Sequence, residues 1–407
     1  MLAEKYAILS AYNNSFLNDI GHGYNREFTK NGAIFIDYEE LYTRYGRQKA
    51  EEVIHRIIEQ NSIEVLIYHC EANAFHFSLE FFRLLQEKVF VVMMLGDTEH
   101  YFAERDVYYA QCMDLVIVYD CMSRYRFKQY GIDAISFYSS YDKGRYFKID
   151  GMEETIDISF IGDIACKMYR NEYIGYITKT GLTVEVFGTG SRNGQVTLER
   201  MVQIFNKTKI NLNFADISLK NAIKKELNIN GKIRQMKGRM AEVALCGGFV
   251  LGEYVPGIEE VFEPDKEIII FHSKEEMVEK IKYYLGHDDK RHAIAEKGYI
   301  RALKDYEIST AIPRLISRIE DFRKVNAKRF PEIYVDSRFI RNYTTFRVEM
   351  IVKFLRLRKW KQLCEELLVI LKNRRLDIVK ALGVFLFGMF PLLKKIYLLG
   401  QDKRHAR

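Results

Sequence analysis

Short apolar runs alternate along most of this chain with longer stretches of helical period. The first set of runs covers residues 6–10, 33–36, 65–68, 89–95, 115–119 and 134–137. Between them lie stretches such as 47–60 and 77–87, where apolar residues recur every three or four positions. Such short runs suit strands buried on both sides, and their alternation with helices predicts a parallel sheet covered on both faces. A polar segment with two glycines, 138–154, then reads as a linker. After it the pattern restarts, with strands expected at 156–162, 184–187, 209–214, 249–251 and 267–271 and helices at 167–180, 198–206, 274–285 and 287–304. Ser273 followed by Glu276 is a capping box for the helix over 274–285. Pro313 lies early in one more helix, whose end at 314–324 is placed to cross back to the first domain. The expected organisation is α/β: two doubly wound Rossmann-like domains over 1–145 and 155–325, then a different segment over 326–407.

The stretch 237–267, KGRMAEVALCGGFVLGEYVPGIEEVFEPDKE, carries the densest chemistry. Met240, Val243 and Ala244 give helical spacing, and Gly247 and Gly248 supply the stop. A short buried strand follows. Pro256 and Gly257 then make a turn expected to open a helix at Ile258. The free N–H groups of a helix N-terminus suit a phosphate. Glu242, on the preceding helix, is a candidate acceptor for two vicinal ribose hydroxyls. Lys237 and Arg239 are candidate counter-charges for a diphosphate.

Ligands of parallel sheets bind at the carboxyl ends of the strands. Asp97, Glu99 and His100 emerge there together after Leu95. Asp97 is a candidate general base for an inverting reaction, with His100 beside it. Equally, Asp97 orients substrate hydroxyls, or it or Thr98 caps the next helix. Gly162 ends a strand where backbone can approach a phosphate, and Arg170 on the next helix can reach the same group. Asn13, Asn14 and His22, after the first strand, either face the cleft or make turns and caps. The loop 216–233 has no clear period and reads as a flap near a base.

The order KGR…E…CGG…E…PGIEE…FEPDKE resembles the donor half of group 1 glycosyltransferases of the GT-B fold, and is most similar to the CgeB-like (spore-maturation) branch. The segments IDISFIG, VEVFGTG and INLNFA follow the same order. The resemblance implies a nucleotide-sugar donor site in the second domain. Glu242 matches the ribose-binding Glu, Pro256, Gly257 and Ile258 fall at the glycine turn, and Glu260 matches the Glu that ends it. Many members carry an earlier Glu eight residues before the second; here that position is Arg234. The resemblance implies retention at the anomeric carbon, an inference the Arg234 departure weakens. The expected function is sugar transfer to a hydroxyl acceptor, without a metal site and with no cofactor beyond the donor substrate. Two rivals share the pattern: a nucleotide-sugar epimerase, and a non-catalytic nucleotide or glycan binder.

Charge changes the picture at the C-terminus. The chain has 407 residues and a net charge of +7, but residues 323–407 hold 21 Lys and Arg against 7 Asp and Glu, so the rest is acidic. A basic tail on an acidic body points to an anionic surface, and no nucleic-acid motif accompanies it. The run 381–393 carries no charge and is flanked by Lys380, Lys394 and Lys395. It is too short to span a bilayer, which takes roughly 20 apolar residues, and Pro391 interrupts it. The tail therefore reads as an interfacial membrane anchor or as helices packed on protein. With a membrane surface, the expected acceptor is a cell-envelope or lipid-linked glycan. Six cysteines without a CxxC pair are expected as reduced thiols of a cytoplasmic protein, peripheral on the inner face of the membrane.

Overall fold

The computed structural model describes residues 3–11, 19–70, 75–165, 167–217, 233–327 and 330–390. The first sheet is built from β1 (Tyr6–Ser10), β2 (Ile34–Asp37), β3 (Val65–Cys70), β4 (Phe90–Leu95), β5 (Leu115–Val118) and β6 (Ala134–Ser136). All are parallel, in the order β2-β1-β3-β4-β5-β6. The second sheet contains β7 (Ile156–Ile161), β8 (Glu185–Phe187), β9 (Thr208–Asn213), β10 (Val250–Glu253) and β11 (Ile269–Phe271). It too is parallel, ordered β11-β10-β9-β7-β8.

Side chains of alternate parity feed two cores per sheet, as the pleat requires. In the first sheet Leu9, Tyr68, Met93 and Val116 enter one core, and Ile8, Ile67, Met94 and Ile117 the other. The expected cap forms, with Ser273 Oγ accepting from Glu276 N at 3.1 Å, while Glu276 Oε2 reaches one residue past the cap to accept from His272 N at 2.7 Å.

The linker is less free than its composition predicts. Tyr138 to Tyr141 are buried. Tyr141 N donates to Tyr306 O, and Ile308 N donates to Tyr141 O, both at 2.9 Å. The outgoing and returning crossovers are thus stitched side by side. The returning helix, Ile308–Val325, places Ile312, Leu315 and Ile319 in the first domain's core, as the expected crossing requires.

Among its described residues the tail forms three helices, Ser337–Arg356, Trp360–Asn373 and Ile378–Met389. The first is seated on the first domain: Phe339, Phe346, Met350 and Phe354 join its core. Arg347, wholly buried, meets Glu366 and the Tyr42 hydroxyl. Among the described residues no helix is long and apolar enough to cross a membrane. Pro391 lies outside the described residues.

The turn at Gly257 is a correction. It opens only the 3-10 turn Ile258–Glu260, not a helix. The next residues, Val261 and Phe262, drop into the core, with Phe262 against Tyr138 and Tyr306. That burial ends the turn before a helix dipole can build.

Candidate active site

The carboxyl ends of β4 and β7 face one another across the domain junction. Asp97 follows β4 and precedes the short helix Thr98–Tyr101, yet its side chain makes no capping bond. It is 61% exposed, and Lys237 Nζ of the second domain lies 3.6 Å from its Oδ1. Gln235 Nε2 donates to Gly96 O at 3.2 Å and lies 3.5 Å from the same Oδ1. The capping alternative for Asp97 is therefore not what the structure shows.

His100 and Lys167 complete the group. Burial holds the His100 pKa below its ordinary value; nearby Asp97 pulls it up, and Lys237 and Lys167 push it down. Burial also lowers the Lys167 pKa, reinforced by Lys237 and Arg170. Two ammonium groups and Arg170 thus stand against the carboxylates of Asp97 and Asp163 around an imidazole held toward its neutral form. The surplus positive charge is a receptive field for a polyanion.

Why these side chains meet is set by buried pins between the domains. Asp120, just after β5, accepts N–H groups from Met236 (2.7 Å), Met122 (2.9 Å) and Ser123 (3.2 Å). Burial raises its pKa and those three donors oppose the rise. The Tyr138 hydroxyl donates to Lys237 O. At Gly238 a Cβ would come within 1.9 Å of the Tyr141 hydroxyl, so only glycine lets the chain pass. Lys237 is held beside Asp97 by these contacts on either side of it.

Gly162 lies directly after β7. A Cβ on Gly188, which has φ +113°, would come within 2.3 Å of Gly162 O, so the two strand-end loops are pressed together. Arg170 Nη1 donates to Asp163 O at 2.9 Å, bracing that loop. Lys167 projects from the segment between them and donates to Ile217 O at 3.4 Å.

The other donor-side candidates lie apart from this group. Glu242 is buried in the helix Arg239–Leu245 and ion-paired with Arg239, whose Nη1 also meets Met201 Sδ at 2.8 Å. Tyr141 and Tyr146 pack close enough that the Glu242 charge adds to the burial raising their pKa values. Pro256 is exposed and Ile258 buried. Gly257 has φ +85°, and its carbonyl accepts from Cys121 Sγ at 3.2 Å. Glu260 takes a bidentate pair from Arg124 at 2.7 and 2.9 Å. Gly257 and Glu260 are therefore interdomain contacts in this structure. Asn13, Asn14 and residues 218–232 lie outside the described residues. His22 falls in the helix Asp19–Lys30, and its side chain is likewise outside them.

Sequence reasoning missed Lys167, Gln235, Asp120 and Glu253. Lys167 had a signal, a cation between a strand-end glycine and a helix. Glu253 had one too, an acid ending an apolar strand. It is buried, accepting from Ala215 N at 3.0 Å, Arg234 Nε at 3.0 Å and the Tyr173 hydroxyl at 3.4 Å. Gln235 and Asp120 act through contacts more than a hundred residues away, which no local pattern announces. Among the described residues no three His, Cys, Asp or Glu side chains gather as a metal-ligand set.

Residues 170–317 match a family model described as "Glycosyl transferase-like". No curated protein matches the sequence. Among solved structures, HepE from Anabaena in complex with UDP is similar at a TM-score of 0.54 and 11% identity, covering 78% of this chain and 99% of its own. A glycosyltransferase from Rickettsia africae gives 0.54 at 10% identity, covering 79% and 100%. Sucrose-phosphate synthase from Thermosynechococcus elongatus gives 0.54 at 9% identity, covering 78% and 99%. The fold is GT-B. Each likeness spans both sheets of this chain and nearly all of the compared chain, so the GT-B arrangement extends over the two Rossmann-like domains rather than one of them.

Proposed function

We propose that this protein transfers a sugar from a nucleoside-diphosphate donor to a hydroxyl acceptor. One observation carries the reading: Lys237 of the second domain lies 3.6 Å from Asp97 of the first, and both act on the charge of His100 and Lys167 beside them. HepE, a GT-B neighbour, is solved with UDP and with UDP-glucose, which supports a donor of that class. The match over 170–317 supports it from sequence, and the resemblance to the CgeB-like branch belongs to the same reading.

In this scheme the bond from the anomeric carbon to the phosphate oxygen breaks, and its electron pair stays with the diphosphate. Lys167 and Lys237 stabilise the charge that develops there, the largest catalytic contribution available. Their two charges serve in place of a divalent ion, so the proposed reaction is metal-independent. The acceptor oxygen bonds to the anomeric carbon and its proton passes to Asp97. A neutral His100 donates or accepts one hydrogen bond beside it. Arg170 braces the Gly162 loop beside the lysines, and the partly buried Glu242–Arg239 pair supports the helix behind them. The acceptor is a cell-envelope or lipid-linked glycan, and the enzyme works at the cytoplasmic face of a membrane.

A thermal-shift panel of UDP, GDP, TDP and CMP tests the donor site, since a ligand of the native state raises apparent stability. A shift for one nucleotide, lost in Lys167→Ala and Lys237→Ala, is expected. A folded protein that responds to none of the four would sink the reading. Free nucleotide released only when an acceptor is added separates transfer from epimerisation and from plain binding.

A further inference from the structure

The last two helices leave an apolar face uncovered. Of the 21 large apolar side chains that stand exposed among the described residues, 11 fall between Leu357 and Phe390. Such side chains scattered singly over a surface need no explanation; half of them on one short segment do. On Trp360–Asn373 the exposed residues are Trp360 at its start and Leu367, Leu368 and Leu371, which by spacing share one helical stripe. On Ile378–Met389 they are Ile378, Val379, Leu382, Phe385 and Leu386, again a single stripe by spacing. Both helices rest on Ser337–Arg356, which is locked into the first domain by Phe339, Phe346 and Phe354.

Charge identifies what covers this face. Between residues 357 and 390 there are seven Lys and Arg against three acids, Glu365, Glu366 and Asp377. Each acid is engaged within the protein. Glu366 is buried with Arg347, Glu365 accepts from Gln48 N, and Asp377 caps the last helix. Arg358, Lys361, Arg374, Arg375 and Lys380 therefore form a basic rim around apolar stripes. A second copy docking symmetrically would set one basic rim against another. An anionic lipid surface neutralises the rim and receives the stripes.

We infer that the helices Trp360–Asn373 and Ile378–Met389 seat the protein on an anionic bilayer. The last helix has 12 residues, enough for about 18 Å, so it lies in the interface and does not span. The sequence beyond it adds Lys394, Lys395, Lys403, Arg404 and Arg407. The contact belongs to the first domain, which carries Asp97, so attachment brings a lipid-linked acceptor to that side of the cleft. The inference does not depend on the donor site and is read without nucleotide.

The full chain is sedimented with vesicles of phosphatidylglycerol and phosphatidylcholine, and with phosphatidylcholine alone. Trp360, the single tryptophan and itself 61% exposed, reports contact through a blue shift of its emission. Binding to the anionic vesicles only is expected, with the blue shift. It should weaken at least about tenfold in Val379→Glu/Leu382→Glu, and again in Arg374→Gln/Arg375→Gln or about 0.5 M salt. Val379 and Leu382 are 84% and 57% exposed, so that variant keeps its fold, which circular dichroism verifies. Equal affinity for neutral vesicles overturns the inference. So does unchanged binding by the glutamate variant, or a vesicle-free dimer that the same variant dissolves while vesicles are ignored. A nucleotide thermal shift that survives in the glutamate variant keeps the failure of this inference separate from that of the donor site.

Discussion

Arg234 Nε donates to Glu253 Oε1 at 3.0 Å, and Glu253 is buried at the carboxyl end of β10. By the sequence resemblance, Arg234 falls where many group 1 transferases carry a glutamate. The pair gives a reason to expect a carboxylate at 234 to be disfavoured: Glu253 already fills that space with negative charge. Buried like charges at hydrogen-bonding distance repel strongly.

Arg234→Glu is therefore expected to destabilise the second domain rather than to restore a missing group. Removing a partner from a buried charge costs about 3–5 kcal/mol, and less here because Arg234 is 30% exposed. Urea unfolding of Arg234→Glu, Arg234→Met and the double variant Arg234→Met/Glu253→Gln measures it. The double variant should recover part of the loss. If Arg234→Glu is as stable as the parent and faster in transfer, the two residues are not coupled in this way.

The fold was legible because parallel strands buried on both faces announce themselves as unbroken apolar runs. Residues 6–10, 47–60 and 274–285 matched at both ends, and most other elements differ by no more than two residues at either end. The candidate site was legible in part. Asp97 and His100 follow a strand end, Lys237 flanks a helix, and those positions can be read locally. Their mutual placement could not be, because it depends on Asp120 gripping Met236 across 116 residues. The helix expected after Gly257 failed because apolar Val261 and Phe262 were needed in the core. The tail's packing was ambiguous in sequence because its apolar residues serve two faces, Phe346 and Phe354 inward and Leu368 and Leu371 outward.

Lys167→Ala and Lys237→Ala should each weaken nucleoside-diphosphate binding by roughly 10- to 100-fold, the loss of one charge-assisted hydrogen bond of about 1.5–3 kcal/mol. Isothermal titration measures this directly. Nucleoside without phosphates should bind equally to variant and parent. A uniform loss for nucleoside and diphosphate alike would mean that the lysines only support the fold.

Glu366→Ala removes the carboxylate facing Arg347 and the Tyr42 hydroxyl in an apolar setting. Burial raises the Glu366 pKa and the Arg347 charge opposes that rise. Loss of one member of a buried pair costs about 3–5 kcal/mol. Because the Arg347–Glu366 pair ties two tail helices to each other and both residues meet Tyr42 of the first domain, proteolysis should release the tail before the domains unfold. A tail as resistant as the parent's would show that Phe339, Phe346 and Phe354 suffice to hold it.

His100 offers a pH signature. Its folded pKa lies below the ordinary 6.5, so near neutrality the ring is uncharged in the folded protein. Below pH 6.5 the unfolded chain binds the proton more readily, so this residue's contribution to stability is present above 6.5 and is lost as pH falls toward its folded value. Asp97 is the neighbour that raises this pKa, and Asp97→Asn should therefore lower it further. A bound diphosphate should raise it by adding negative charge beside the ring. Ring-proton NMR titrations of parent, Asp97→Asn and nucleotide-bound protein follow all three. In turnover assays Asp97→Asn should reduce kcat by about 10²- to 10⁴-fold with little change in donor affinity, the range of a lost general base. An Asp97→Asn enzyme that keeps its kcat but loses acceptor affinity would make Asp97 an acceptor-orienting group. A His100 pKa indifferent to both Asp97 and nucleotide would place the reacting groups somewhere other than this cleft.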